Sequence, residues 1–558
     1  MNLIIFLTSY FIIILSIFGY SLALHDIFKK KISLEFEFNF LGSIFFLIFL
    51  SFLTHLFLKH NFLHNLVILF IGISLFLFFF NKYKKLVKDY SKILSLIFII
   101  LILALLSAKT HDDFPYYHFP YTFYLTQENL IVGIGNLNHG FRTLSSIFYL
   151  NSLFYLPLIE YFSFNIGQIL LFGASNLILI FKLKNDFERK RYDYIFLLTL
   201  FSFLFINIFF YRLSEHGTDR TAQILILILF IEILNLLREN ILLKNFFSKI
   251  FILLGIIISL KAFYVLYLII LIPIFYIILN KNFKNLFNDL FGNFYFYIFL
   301  SIGLFLMMNN IFNSGCILYP VSFTCISQFD WSLYKEAQQM NNWYEQWSKA
   351  GATPNFRVDD PENYIKGFNW VNNWIELYFF NKVTDFLLGV LLLIIIVFAI
   401  LCSKKKNNLK IDKKVWIVYS ILIFLFFEWF YNHPSLRYGG YSLIVLITLI
   451  PFSIYFSRYL SKKNLKKKVV FLILLSLVIF SGRNLNRIYN EIHKYDYQFI
   501  LNPAYKVDDN HLRINFLIQD LKKHYENCNK DALTFCKDYK GIYINRKFSY
   551  YYLMKKND

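Results

Sequence analysis

The stretch Ile93-Leu-Ser-Leu-Ile-Phe-Ile-Ile-Leu-Ile-Leu-Ala-Leu-Leu-Ser-Ala108, followed at once by Lys109-Thr-His-Asp-Asp-Phe-Pro-Tyr-Tyr-His-Phe-Pro120, decides how the rest of the chain is read. Its first part is an uninterrupted apolar run of the kind that crosses a bilayer. Its second part sets two adjacent carboxylates, Asp112 and Asp113, between His111 and His118 at the mouth of that span. Ionisable groups beside a bilayer are costly to place and mark functional sites by default.

The composition points outward from this stretch to the whole chain. Of 558 residues, 58% are hydrophobic and only 16% are charged, with 70 Phe and 40 Tyr. A soluble protein carries roughly a quarter charged residues, so the expected fold class is an all-α polytopic integral membrane protein. The apolar runs are Leu3–Leu24, Phe38–Leu58, His64–Phe80, Ile93–Ala108, Asn165–Phe181, Tyr194–Tyr211, Ala222–Leu237, Ile250–Leu260, Ala262–Leu279, Phe294–Phe312, Asp385–Leu401, Val415–Tyr431, Tyr441–Phe456 and Val469–Phe480. They predict about 13–14 transmembrane segments. The first run lacks a basic flank before it and a small-residue cleavage site after it, so it reads as a retained helix.

The net charge of +21 raises the question of a nucleic-acid partner. Its distribution answers no. The tracts Lys29-Lys-Lys31, Lys82-Tyr-Lys-Lys85, Arg189-Lys-Arg191, Lys404-Lys-Lys406 and Lys466-Lys-Lys468 fall in alternate loops, as the positive-inside rule requires. That alternation places the N-terminus, the acidic motif, a Trp- and Tyr-rich insert and the C-terminal tail outside the cytoplasm. The expected organisation is a four-helix membrane segment (1–108), an outer juxtamembrane loop (109–163), central helices (164–311), the outer insert (312–384), late helices (385–481) and a small outer C-terminal domain (482–558). Within the insert, Tyr334–Trp347 and Tyr364–Tyr378 have helical spacing. Trp331, Trp343, Trp347, Trp370 and Trp374 read there mainly as interface anchors. Cys316 with Cys325, and Cys528 with Cys536, are expected as two disulfides in an oxidising exterior, while Cys402 lies at the inner boundary.

Several polar islands could carry chemistry. Asp112 and Asp113 can supply a general base, hold a divalent cation such as Mg or Mn, or cap the next helix. His118 can orient a carboxylate or meet a phosphate. Around them, His111, Tyr117, Asn136, His139 and Arg142 are candidate acceptor or loop contacts. Lys261 stands between two apolar runs that are each short, the first about 16 Å long as a helix, and is a candidate phosphate ligand. Arg437, in Asn432-His-Pro-Ser-Leu-Arg-Tyr-Gly-Gly440, suits bidentate phosphate recognition. Arg212, Glu215, His216, Asp219 and Arg220 form a further cluster whose charges nearly cancel, which fits an internal ion-pair network as well as a ligand site. All these islands fall on the predicted outer side, whereas a pump places ionisable groups near the midplane. No P-loop, HExxH or GxSxG motif competes.

A many-span protein with an acidic pair in an outer loop resembles the GT-C superfamily of glycosyltransferases, among them protein O-mannosyltransferases, aminoarabinose transferases and lipopolysaccharide-core galacturonosyltransferases. The chain is similar, more closely, to a family of bacterial polytopic membrane proteins through Tyr117-His-Phe-Pro120, Gly133-Ile-Gly-Asn-Leu-Asn-His-Gly-Phe-Arg142, Ser314-Gly-Cys-Ile-Leu-Tyr-Pro320 with Trp331, and His433-Pro-Ser-Leu-Arg-Tyr-Gly-Gly440. The GT-C resemblance implies a transferase of the bacterial inner membrane, working at its periplasmic face. Its donor would be a polyprenyl-phosphate-linked sugar and its acceptor a glycan or glycolipid of the cell envelope. Asp112 or Asp113 would deprotonate the acceptor or bind metal, and Arg437 or Lys261 would steady the lipid phosphate. The chain departs from that class in having three further spans before the acidic loop. An O-antigen polymerase or ligase, a polysaccharide or lipid flippase, and an envelope scaffold are the alternative readings.

Overall fold

The computed structural model describes residues 2–29, 32, 34–238, 242–279, 283–352, 358–404, 412–530 and 541–555. Lys30, Lys31, Lys405, Lys406 and Cys536 lie outside the described residues. About 75% of the chain is helical, and eleven of the described helices are long and apolar enough to cross a membrane. In hydrocarbon every backbone N–H and C=O must be satisfied within the segment, and a helix is the way a single span does so.

The first four helices are α1 (Leu3–Phe28), α2 (Phe36–His55), α3 (Phe62–Phe80) and α4 (Lys84–Leu105). After the motif come α5 (Phe119–Gln127), α6 (Ile166–Glu188), α7 (Tyr194–Phe209), α8 (Leu213–Arg238), α9 (Leu243–Leu260) and α10 (Phe294–Ser314). The insert contributes α11 (Tyr334–Lys349). It is followed by α12 (Thr384–Leu401), α13 (Val415–Asn432), α14 (Gly440–Ser457), α15 (Leu465–Tyr495) and α16 (Asp509–Lys530). The starts of α3, α7 and α10 are set locally by polar side chains that take otherwise orphaned N–H groups. Asn61 accepts from His64 N, Asp193 from Ile195 N and Phe196 N, and Asn293 from Tyr295 N. At the other end of α10, Gly315 adopts φ +75° and closes the helix.

Helices α2, α6, α8 and α9 form the centre, whereas α3, α10, α13 and α15 keep most of their apolar surface outward. That outward surface is what a lipid bilayer would cover. The close approach of α1 to α3 rests on glycine: a Cβ on Gly19 of α1 would lie 1.9 Å from Gly72 O of α3.

Four features differ from the sequence reading. The run Ile250–Leu260 begins earlier, because Leu243–Lys249 is helical too, so α9 has 18 residues and is about 27 Å long. The chain then breaks at an extended Lys261 (φ −159°, ψ 123°) and continues as a 3-10 helix, Ala262–Ile270. The second insert helix is not continuous over Tyr364–Tyr378; short turns at Pro361–Ile365 and Val371–Trp374 lead into a π-helix, Ile375–Val383. Trp370 and Trp374 are buried, not interfacial. Each indole donates inward, Trp374 Nε1 to Pro434 O at 2.7 Å and Trp370 Nε1 to Gly367 O at 3.0 Å.

The C-terminal region begins inside a helix, since α15 runs unbroken through residue 482 to Tyr495. The fold also contains one small sheet. Strand β1 (Ile131–Val132) pairs in parallel with β3 (Tyr550–Lys555), which pairs antiparallel with β2 (Ile542–Lys547). The tail is thereby stitched into the loop that follows the acidic motif. Of the expected disulfides, Cys316–Cys325 is formed; the expected partner of Cys528, Cys536, lies outside the described residues, and Cys528 Sγ stands 3.6 Å from His524 Nε2.

Candidate functional site

The acidic motif is positioned from the end of α4. Helix α4 stops at Leu105, leaving carbonyls that no further turn can satisfy. Arg487 of α15 takes two of them, donating to Leu103 O at 2.8 Å and Leu106 O at 2.7 Å. Ser214 bonds Ala104 O, and Glu491 accepts from Ala108 N at 2.8 Å. The chain so fixed enters the π-turn Phe114–His118 immediately after Asp113.

Asp113 meets Arg437 directly, and through it two further groups that lie far away in sequence. Arg437, 324 residues on, donates from Nη2 to Asp113 Oδ2. The same guanidinium donates from Nε to Asp219 Oδ2 at 2.6 Å. Lys261 Nζ donates to the other oxygen of Asp219, and lies 4.4 Å from the Tyr438 ring centroid. Two carboxylates and two cations thus form one chain, Asp113–Arg437–Asp219–Lys261, with no net formal charge. Gly217, at φ +54° and ψ −113°, kinks α8 just before Asp219 and turns its first regular turn toward Arg437. Gly439, at φ +111°, ends the turn that carries Arg437 and starts α14.

The electrostatics follow from this arrangement. Burial raises the proton affinity of Asp113, but the Arg437 charge, assisted by His118 and His111, outweighs it and leaves the carboxyl below its ordinary range. Burial would lower Arg437, yet Asp219 and Asp113 hold its guanidinium firmly protonated. Lys261 is lowered by burial, only partly offset by Asp219. His118 is driven by burial to about 3 and is neutral at physiological pH. His111 is lowered by burial and then by Arg437. Its Nδ1 accepts the Asp113 amide at 3.1 Å, so the 3.4 Å approach of the Asp113 carboxylate to that nitrogen is not a hydrogen bond.

Around the chain of charges, three buried polar atoms have no partner among the described residues: His118 Nε2, Tyr264 Oη and His433 Nδ1. Such atoms cost free energy unless a ligand or water meets them. The insert lies against the same place, with Trp347 of α11 5.8 Å from the Tyr438 ring.

The structure sorts the sequence candidates. Asp113, His111, His118, Lys261 and Arg437 converge, with Tyr117 packed beneath them against His118 at 4.4 Å. Asp112 is exposed beside the cluster. Asn136 instead bonds Gly133 O and Leu553 O, tying the loop to the sheet. Arg142 bonds Gly135 O at 2.9 Å and Tyr319 Oη at 3.2 Å, and His139 Nδ1 pairs with Tyr116 Oη at 2.7 Å. These three hold the loop together. The residue that sequence reasoning underrated is Asp219, grouped there with neighbouring arginines. The available signal was an acidic residue in the first turn of an apolar helix, two residues after a glycine.

Residues 1–444 match the family model described as Domain of unknown function (DUF8201). The chain belongs to that family. No curated protein and no solved structure matches it. The DUF8201 stretch includes all four members of the charge chain, and ends before Arg487, Glu491 and strands β2 and β3.

Proposed function

We propose that this chain is a GT-C-type glycosyltransferase acting at the outer face of a bacterial inner membrane. Its donor is a polyprenyl-phosphate-linked sugar, and its acceptor a hydroxyl of an envelope glycan or glycolipid. The observation that carries the reading is the direct contact of Asp113 with Arg437, with Lys261 joined to them through Asp219. A carboxylate able to take a proton and two cations able to receive a phosphate stand together at one end of a membrane bundle.

In the proposed reaction the acceptor oxygen attacks the anomeric carbon of the sugar. The anomeric C–O bond to phosphate breaks, and polyprenyl phosphate leaves with the bonding pair. Asp113 accepts the hydroxyl proton. Arg437 and Lys261 meet the charge that grows on the departing phosphate. The geometry couples these roles. While Arg437 is bonded to Asp113, the carboxylate is a weak base; a phosphate that takes over the guanidinium removes that restraint and raises the proton affinity of Asp113. The base is thus strengthened when donor is bound.

The reading routes no step through Mg or Mn. A divalent cation at Asp113 would have to displace or repel Arg437 and Lys261, which already neutralise the carboxylates. The test is envelope glycan profiling of a deletion strain complemented with wild type, Asp113→Asn or Arg437→Gln. Loss of one sugar restored by wild type alone supports transfer; full restoration by Asp113→Asn defeats it.

One observation favours a second reading. The centre of the cluster is an arginine gripping two carboxylates, which suits an arginine-dependent O-antigen polymerase or ligase. That enzyme would tolerate Asp113→Asn, fail with Arg437→Gln, and change glycan chain length with the repeat unit intact.

A further inference from the structure

In sequence, Arg212, Glu215, Asp219 and Arg220 look self-neutralising. The fold separates them. Asp219 turns to Arg437 and Lys261, and Glu215 is taken by Arg212 and approached by Arg487 Nε at 3.6 Å. Arg220 is left with neither a hydrogen bond nor an ion pair among the described residues. Its guanidinium carbon sits 5.9 Å from the ring centroids of Phe210 and of Tyr441. Arg212 is near enough to repel it and Glu215 near enough to attract it.

The surroundings add positive charge. Arg483 of α15 donates to Ile208 O at 2.7 Å and lies 4.0 Å over the Tyr211 ring. Glu215 is shared by Arg212 and Arg487, and Arg487 also reaches Glu491. Two aromatic faces hold a guanidinium less strongly than an anionic partner does in a partly desolvated place. A guanidinium with a free fork matches phosphate oxygens in pairs. The position is level with the ends of the spans. It lies where α7 ends and α14 begins, with Phe386 of α12 4.9 Å from Tyr441. Tyrosines at that level are where lipid headgroups would be met.

We propose that Arg220, with Arg212 near it, is a second phosphate-recognition site, and that it receives the phosphate of a lipid-linked acceptor. Asp219 and Arg220 are consecutive residues that face different neighbours on α8. One helix turn therefore serves the donor phosphate on one side and the acceptor phosphate on the other. This assigns the acceptor to the membrane-anchored, phosphate-bearing class rather than to a soluble glycan. The assignment to acceptor rests on the transferase reading; the phosphate site itself does not.

Binding separates the two. Full-length protein in phosphatidylcholine nanodiscs is titrated with phosphatidic acid and read by native mass spectrometry, for wild type, Arg220→Gln, Arg220→Lys and Arg437→Gln. We expect Arg220→Gln to weaken one class of bound lipid phosphate about tenfold, the loss of a charge-assisted hydrogen bond. Arg220→Lys keeps the charge and retains part of the binding, and Arg437→Gln removes a different class. Unchanged lipid binding in well-folded Arg220→Gln overturns the proposal. Loss in Arg220→Gln with none in Arg437→Gln sustains this site and defeats the donor site. Inorganic phosphate added in competition distinguishes the sources. Displacement shows recognition of phosphate alone, and persistence shows that the lipid anchor contributes, with either result supporting a phosphate site at Arg220.

Discussion

Two buried charge clusters of the same composition occur in this molecule, and only one has the makings of an active site. Asp113–Arg437–Asp219–Lys261 has two anions and two cations; so has Glu35–Lys249–Glu232–Lys182, built from α6, α8, α9 and the approach to α2. In the second, Glu232 is 1% exposed and both its oxygens are bonded, Oε1 to Lys182 at 2.6 Å and Oε2 to Lys249 at 3.2 Å. Lys249 and Lys182 are 5% and 11% exposed, and only Glu35 at the edge reaches 44%. In the first, only Asp219 is closed off, while Asp113, Arg437 and Lys261 are 28%, 29% and 27% exposed, and polar atoms unpartnered among the described residues stand around them. A closed cluster joins helices. An open one with unmet hydrogen-bonding capacity can exchange internal partners for a ligand.

The comparison is broken or sharpened by four measurements. The largest effect belongs to the closed cluster. Glu232→Leu leaves two lysines buried without their shared carboxylate and should lower stability by about 3–5 kcal/mol, read as thermal unfolding in detergent. A small change there would mean that burial does not distinguish the clusters. Asp113→Asn should leave unfolding nearly unchanged while reducing glycan transfer about 100-fold or more. The reverse pattern, a stability loss with normal transfer, would make the open cluster structural as well.

Arg437→Lys keeps a charge but cannot reach Asp113 and Asp219 in the same forked geometry. We expect a fall in kcat/KM of about tenfold, with a larger share in KM if the guanidinium binds donor phosphate. The smallest effect is with pH. His118 is buried and held near 3, whereas an unfolded histidine titrates near 6.5. Its contribution to stability is therefore complete above about 6.5 and is lost progressively as pH falls toward 3. His118→Gln should flatten that part of the stability profile. Asp113 acts in the same direction at lower pH. Its depressed carboxyl lets the Arg437 pair persist below about 4 before protonation removes it.

How much of this was legible beforehand varies by residue, for physical reasons. Most spans were readable because lipid imposes a long apolar run on each helix. Eleven of the fourteen runs fall on described helices long and apolar enough to cross a membrane, while Ile93–Ala108, Tyr194–Tyr211 and Ala262–Leu279 fall on helices that are shorter or carry more charge. Even there, α9 was cut short because Lys244 and Lys249 looked like loop charges. Lys249 is buried because Glu35 and Glu232 pair with it, a compensation no local window contains. The tryptophans misled in the same way. Composition equates Trp near a membrane with the interface, but Trp374 found Pro434 O and could be buried.

The candidate site divides likewise. Asp113, Lys261 and Arg437 were conspicuous because charge beside apolar runs is rare and costly. Asp219 was hidden by its own neighbours, since Arg212 and Arg220 seemed to balance it locally. Which charges cancel depends on which way each side chain leaves the helix, and Gly217 sets that direction.

By itself, then, the sequence determined that this chain is a many-span helical bundle with ionisable residues concentrated in a few short islands. Hydrophobic periodicity and charge cost act locally, so they can be read without coordinates. Only the tertiary structure decided that Asp113 and Asp219 share Arg437, that Lys261 completes the chain and that Arg220 is left over. Those are pairings across as many as 324 residues, and pairing at such separations is fixed by helix packing.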